Sequence, residues 1–184
     1  MAIRPRRSLL YMPGSNPRAL EKARSLPADG LILDMEDAVA PDAKVLAREQ
    51  IGAALAEGGY GQRELMVRVN GLATDWGAQD MAALGAWTSP PDAVLIPKID
   101  SAQDVSDAVS ALDAAGCPSS VDVWIMAETP HCILNIAEIA SAHPRLRGMV
   151  MGTSGRQGDA ARWWADLPRF CRSAGQWRRR RDVQ

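Results

Sequence analysis

The residues able to do chemistry in this 184-residue chain recur at one kind of place, directly at the end of a short apolar run. Asp34, Glu36 and Asp37 follow the run at 30–33, and Arg68 and Asn70 lie at the end of the run at 65–69. Lys98 follows the run at 93–96, and Glu128 with Thr129 follows the run at 121–126. Pro13, Gly14, Ser15 and Asn16 come after a first run at 8–12, and Gly152, Thr153 and Ser154 after a sixth at 148–151. Carboxylates can move protons, or hold a hard cation through oxygen. A guanidinium presents a planar fork that matches a carboxylate with two hydrogen bonds at once. His131 and His143 have no metal-ligand spacing between them and read as structural or surface residues.

The elements that must position these groups can be read from the same pattern. All six runs are short, apolar on both faces and bounded by Pro, Gly or charged residues, as buried parallel strands are. Between them lie stretches with helical spacing. Residues 16–26 place Pro17 at a first helical position. Residues 41–57 close on Gly58 and Gly59, a helix stop. Residues 101–115 open on Ser101, which can cap, and end at Gly116. Residues 130–142 carry Ile133, Ile136, Ala137 and Ala140 on one face. Such alternation predicts an α/β fold with a parallel sheet. If the sheet curves into a barrel, all the strand C-terminal ends open on one mouth, where active sites are built. That mouth would gather two or three carboxylates, a guanidinium, an ammonium and a glycine-rich turn.

Each group also has a plainer reading. Asp34, Glu36 and Asp37 could cap the following helix or hold a strand-to-loop turn. Arg68, between Val67 and Val69, faces away from both and could form a structural ion pair with one of those acids. Lys98 could be simply solvated, and Glu128 could favour the start of the helix after Thr129.

Composition narrows the class. Hydrophobic residues make up 47% of the chain and charged residues 23%, as in soluble globular domains. No apolar run approaches the ~20 residues of a membrane span. The basic N-terminus is broken at Pro13 and Gly14 and does not read as a signal peptide. Cys117, Cys132 and Cys171 show no CxxC pair and read as reduced thiols of a cytoplasmic protein. The net charge of −1 conceals a net +5 over residues 155–184, where three of the six tryptophans also fall. Arg178 to Arg181 lack aromatic interleaving, so no nucleic-acid partner is expected, nor a membrane.

Six segments carry a family resemblance: RSLLYMPGSNPRALEKA, LILDMEDAVAPDAK, VRVNGLATDWGAQD, AVLIPKIDSAQDV, AETPHCILNIAEIA and RLRGMVMGTS. In order and spacing the chain resembles the citrate lyase β subunit-like and malyl-CoA lyase (HpcH/HpaI aldolase) family over residues 7 to about 154. The resemblance implies an incomplete (β/α)8 TIM barrel with about six parallel strands, since a full one takes ~250 residues. It implies Mg²⁺ as cofactor and a small acyl-CoA or keto-acid substrate, with carbon–carbon cleavage or thioester hydrolysis as the reaction. It also implies a homo-oligomer, trimer or hexamer, in intact relatives. Arg68 resembles the arginine that grips the substrate carboxylate, and Glu128 resembles a magnesium ligand that also faces substrate. Glu36 and Asp37 match catalytic acids lining the pocket, and Gly152 and Thr153 the turn whose amides contact the keto acid.

One departure stands out. The family continues with an aspartate, the second metal ligand, where this chain reads Gly155. Asp159 lies four positions on, and no seventh or eighth strand-length run follows. The expectation is a partial barrel domain over 1–154 and a divergent, basic, poorly ordered tail over 155–184, as a shifted reading frame near residue 155 would produce. Weak magnesium binding and little or no turnover are expected with it.

Overall fold

A computed structural model describes residues 4–152. Thr153, Gly155 and Asp159, the boundary expected at 154 and the whole of 155–184 lie outside the described residues. Strand β2 (Gly30–Asp34) is apolar up to its last residue, and all five of its positions are buried. It is flanked by β1 (Leu9–Pro13) and β3 (Glu64–Arg68), and the sheet continues through β4 (Ala93–Ile96), β5 (Asp122–Ala127) and β6 (Leu146–Met151). Every pairing is parallel, and the order in the sheet is the order in the sequence. The fold is therefore α/β, with the six parallel strands expected from the sequence.

Alternation along each strand separates two cores. Val67 and Val69 point to the helical layer, with Leu31, Leu33, Val94, Ile96, Val123 and Ile125. Ile32, Met66, Leu95, Trp124 and Met126 form a smaller cluster on the opposite face. Asp34 and Arg68 continue the second set at its C-terminal end, aligned in register. The edge strands are less covered: Leu10, Tyr11 and Met151 are exposed.

The helices follow local signals closely where those signals exist. Helix α1 (Pro17–Ala23) starts with Pro17 behind Asn16, whose side chain accepts the Arg18 and Ala19 N–H groups. It stops three residues before the expected end. A 3₁₀ turn at Pro41–Ala43 leads into α2 (Lys44–Glu57), which ends at Gly58 with φ 71°. Helix α4 (Ala102–Ala114) opens on a reciprocal capping box between Ser101 and Asp104.

Two expectations need correction. Helix α3 (Gly77–Ala86) lies between β3 and β4, where the sequence showed none. It has no side-chain cap, and Gly77 and Gly85 bracket it. Those glycines serve packing: a Cβ on Gly85 would collide with the Ala115 carbonyl, and one on Gly77 would lie 2.6 Å from Gly71 O. Second, residues 130–142 form two short helices, α5 (Pro130–Leu134) and α6 (Ile136–Ala140), broken at Asn135. Asn135 turns aside to donate its Nδ2 to Asp100 O at 3.0 Å. The break shifts the buried face to Cys132 and Ile139, leaving Ile133 exposed.

Candidate active site

Arg68 ends β3, and its guanidinium is held on three sides. Its Nε donates to Asp34 Oδ1 at 2.7 Å and its Nη2 to Asp34 Oδ2 at 2.5 Å, a side-on fork. Nη1 lies 3.1 Å from Glu36 Oε2 and 4.0 Å from Asp37 Oδ2, and donates to Met126 Sδ at 3.5 Å. The Tyr11 ring covers the guanidinium face at 4.9 Å. Burial pulls the arginine's pKa down, but the hydrogen bonds and charge of Asp34 outweigh that and raise it. It stays a cation at any working pH.

Asp34 is fully buried and has a second task. Its Oδ1 accepts the Glu36 N–H at 2.8 Å and its Oδ2 accepts the Ala38 N–H at 3.1 Å. One carboxylate thus orients the arginine and turns the chain so that Glu36 and Asp37 face the same opening. Lys44 braces that turn from behind, with Nζ donating to Met35 O and Glu36 O, both at 2.7 Å. Asn70 donates to Met35 O at 2.9 Å and is fixed in turn by Asp80, which accepts both its N–H and its Nδ2. Asp80 is completed by Arg48 Nε at 2.9 Å.

Glu128 follows β5 directly, two positions beyond Met126. The helix-capping reading goes to its neighbour, since Thr129 Oγ1 accepts the Cys132 N–H. The Glu128 Oε1 instead accepts the Lys98 N–H at 3.0 Å, with Lys98 Nζ 3.4 Å away. Lys98, for which simple solvation was the plainer reading, has a partner here. Arg68, Glu36, Asp37, Lys98 and Glu128 therefore share the C-terminal end of the sheet. Gly152 follows β6 directly.

Lys44 and Asp80 were not singled out by the sequence reading, and Asp34 was named there with Glu36 and Asp37 but given no role of its own. Asp34 carried a signal, because it sits two residues past Ile32 on the strand face that carries Arg68 in the next strand. Asp80 carried none, lying in a helix the sequence did not reveal.

Glu36 is electrostatically unusual. Burial pushes its carboxyl from 4.5 up to about 7; Arg68 and Lys98 pull it back, while the charges of Asp37 and Glu128 add to the rise. Its Oε2, although close to Nη1, lies off the N–H directions and has no hydrogen-bond partner. Because the folded value exceeds the unfolded one, this group's stabilisation is complete below pH 4.5 and lost as pH rises through about 7. Glu36→Gln should remove that slope. Between about pH 5 and 8, the variant should gain on the native protein by on the order of 2 kcal/mol in urea unfolding. A constant difference across the range would show that Glu36 ionises as an ordinary carboxyl.

Oxygen donors dominate the opening. Among the described residues no group of three or more His, Cys, Asp or Glu is arranged around a common metal position. Magnesium asks for less, since it keeps several waters and takes one or two carboxylates. Glu128, which already seats an ammonium, and the unbonded Oε2 of Glu36 fit that demand.

The profile of the HpcH/HpaI aldolase/citrate lyase family matches residues 7–155. The chain belongs to this family. Among relatives of the HpcH/HpaI family, a (3S)-malyl-CoA thioesterase from Cereibacter sphaeroides is 50% identical over 150 residues, covering 82% of this chain and 50% of that protein. The citrate lyase subunit beta of Escherichia coli is 38% identical over 154 residues, covering 81% of this chain and 50% of the relative. The chain spans about half the length of the curated relatives it matches. A solved structure of CitE from Mycobacterium tuberculosis, in complex with magnesium and acetoacetate, superposes with a TM-score of 0.65 at 28% identity, over 95% of this chain and 72% of that one. The parallel sheet is thus the sheet of an HpcH/HpaI, TIM-barrel-like fold. No helix among the described residues is long and apolar enough to cross a membrane.

Proposed function

We propose that this site serves Mg²⁺-dependent cleavage of the carbon–carbon bond β to the thioester in CoA esters of small hydroxy-dicarboxylic acids, of the malyl-CoA or citryl-CoA kind. The observation that carries the reading is Arg68, anchored side-on by Asp34 beside Glu36 and Asp37 at the sheet end that also holds Glu128. With Nε and Nη2 taken by Asp34, a substrate carboxylate would engage the guanidinium at Nη1, whose present hydrogen bond is the weak one to Met126 Sδ, with Glu36 beside it. Glu36, with its carboxyl near 7, can take the substrate hydroxyl proton as the bond breaks. Asp37, more exposed, lies close enough to Arg68 to share that work. The electron pair of the broken bond goes to the thioester enolate, whose carbon then takes a proton to give the shorter acyl-CoA. Glu128 would hold the metal with Glu36 near it; when bound, Mg²⁺ supplies a hard Lewis acid for the developing oxyanion. Gly152 and Thr153 would offer backbone amides to the keto acid. A homo-oligomer, trimer or hexamer, in a cytoplasmic setting belongs to the same reading.

Hydrolysis of the thioester is the second reading, favoured by the 50% identity to a (3S)-malyl-CoA thioesterase. Product analysis separates the two. With (3S)-malyl-CoA and Mg²⁺, cleavage yields glyoxylate and acetyl-CoA, whereas hydrolysis yields malate and a free thiol. Gly155, in place of a second metal carboxylate, leads us to expect slow turnover and weak magnesium binding, so the assay belongs at high enzyme concentration. Glu128→Gln should lower whatever rate is found by about 100-fold or more. No product of either kind at saturating metal would leave a catalytically inactive remnant as the reading.

A further inference from the structure

Lys98 is the one non-glycine among the described residues with positive φ, at 58°. Long side chains rarely adopt this left-handed backbone, and such outliers persist where the surroundings impose them, often at functional sites. Here the conformation brings the Lys98 N–H to Glu128 Oε1 at 3.0 Å, while its own Nζ returns to the same oxygen at 3.4 Å. One residue therefore approaches one carboxylate oxygen twice, through a backbone hydrogen bond and an ammonium ion pair. Exposure is divided unevenly between the partners: the Glu128 side chain is 7% exposed and that of Lys98 is 53%. The carboxylate is sunk, and its cation sits on the solvent side, from which an ion in solution must arrive.

We propose that Lys98 is a built-in counter-cation for Glu128, which a divalent metal displaces as it binds. The inference rests on the reading of Glu128 as a metal-binding carboxylate. A sunken carboxylate without a partner is costly, and the ammonium removes that cost in the metal-free protein. The backbone N–H keeps Oε1 oriented whether or not the side chain stays. The flexible four-carbon stem of lysine lets the charge swing into water once a dication replaces it. Resting stability is gained at the expense of metal affinity.

The test is Mn²⁺ binding, followed by the loss of the free-ion electron paramagnetic resonance signal, on the full chain. Lys98→Gly accepts the left-handed backbone, keeps the N–H to Glu128 and removes the ammonium. It should bind Mn²⁺ about tenfold more tightly than the native chain, the scale of a solvent-screened charge contact. Lys98→Arg keeps the charge and should stay within about twofold of native. Lys98→Asn also tolerates this backbone; it should melt at a lower temperature without metal, yet gain affinity for it. A lysine with only a structural role would move stability and affinity in the same direction. If Glu128→Gln abolishes binding while Lys98→Gly and Lys98→Asn bind no better than native, the counter-cation is overturned and the metal site stands. If no variant, nor the native chain, shows binding that depends on Glu128, the metal reading falls and takes this one with it.

Discussion

Replacing Arg68 with alanine should cost about 3–5 kcal/mol of folding stability, as well as any activity, because it leaves Asp34 charged and buried with no cation beside it. Asp34 is fully buried, and Arg68 supplies two of the four hydrogen bonds that its carboxylate accepts among the described residues. The other two come from Glu36 and Ala38 N–H groups, which have no charge to set against a carboxylate in an apolar setting. Against the ~5–15 kcal/mol of an ordinary domain, the loss could consume much of the fold's stability. The double variant Arg68→Met with Asp34→Asn separates charge from packing. It removes both charges, keeps an acceptor for the turn, and should recover more than about 1 kcal/mol relative to the single Arg68→Ala variant. Arg68→Lys should retain more stability than Arg68→Ala while losing the fork, since an ammonium cannot bond side-on to Asp34 and still offer a flat edge to a ligand. Urea unfolding of the four proteins decides the matter. A loss under about 1 kcal/mol for Arg68→Ala would mean that solvent reaches Asp34 after all.

Asp80→Ala should be the second large effect, about 3 kcal/mol, at a residue that touches no proposed substrate position. One Asp80 oxygen accepts both the N–H and the Nδ2 of Asn70, and the other pairs with Arg48. Alanine would leave the Asn70 donors and the Arg48 guanidinium short of a partner in a buried place, each at about 1–3 kcal/mol in isolation, although such losses do not add fully. Asp80→Asn should cost clearly less, because one side-chain oxygen can still accept from Asn70. Equal losses for the two variants would show that the charge on Arg48, not the grip on Asn70, is what counts. The effect should reach the mouth, since Asn70 also holds Met35 O and with it the turn carrying Glu36.

How far these contacts could be read from the sequence differs from residue to residue. Arg68 between Val67 and Val69 had to leave the helical core, because strand side chains alternate, and Asp34 had to do the same beyond Leu33. Strand register then made them neighbours. The end of α2 was legible because Gly58 adopts the positive φ its position suggested. Helix α3 was not, because the glycines that weaken its local signal are there to let it approach the 71–72 turn and α4, a demand that exists only in three dimensions. Asp80 was hidden with it. The face of residues 130–142 was misassigned because Asn135 binds Asp100 O across a loop instead of continuing a helix. Lys98 was underrated for a related reason: nothing about a lysine after a proline announces a left-handed backbone.

The strand order also bears on how the protein comes into being. Each strand hydrogen-bonds to the one made just before it, so every step of sheet growth closes a single strand–helix–strand crossover. On a ribosome, the segment through β3 can already join Asp34 to Arg68 while Glu128 is still inside the exit tunnel or not yet synthesised. The grip proposed for an anion is thus assembled early, from little more than the first third of the chain, and the carboxylate proposed for the cation is added to a frame that already stands.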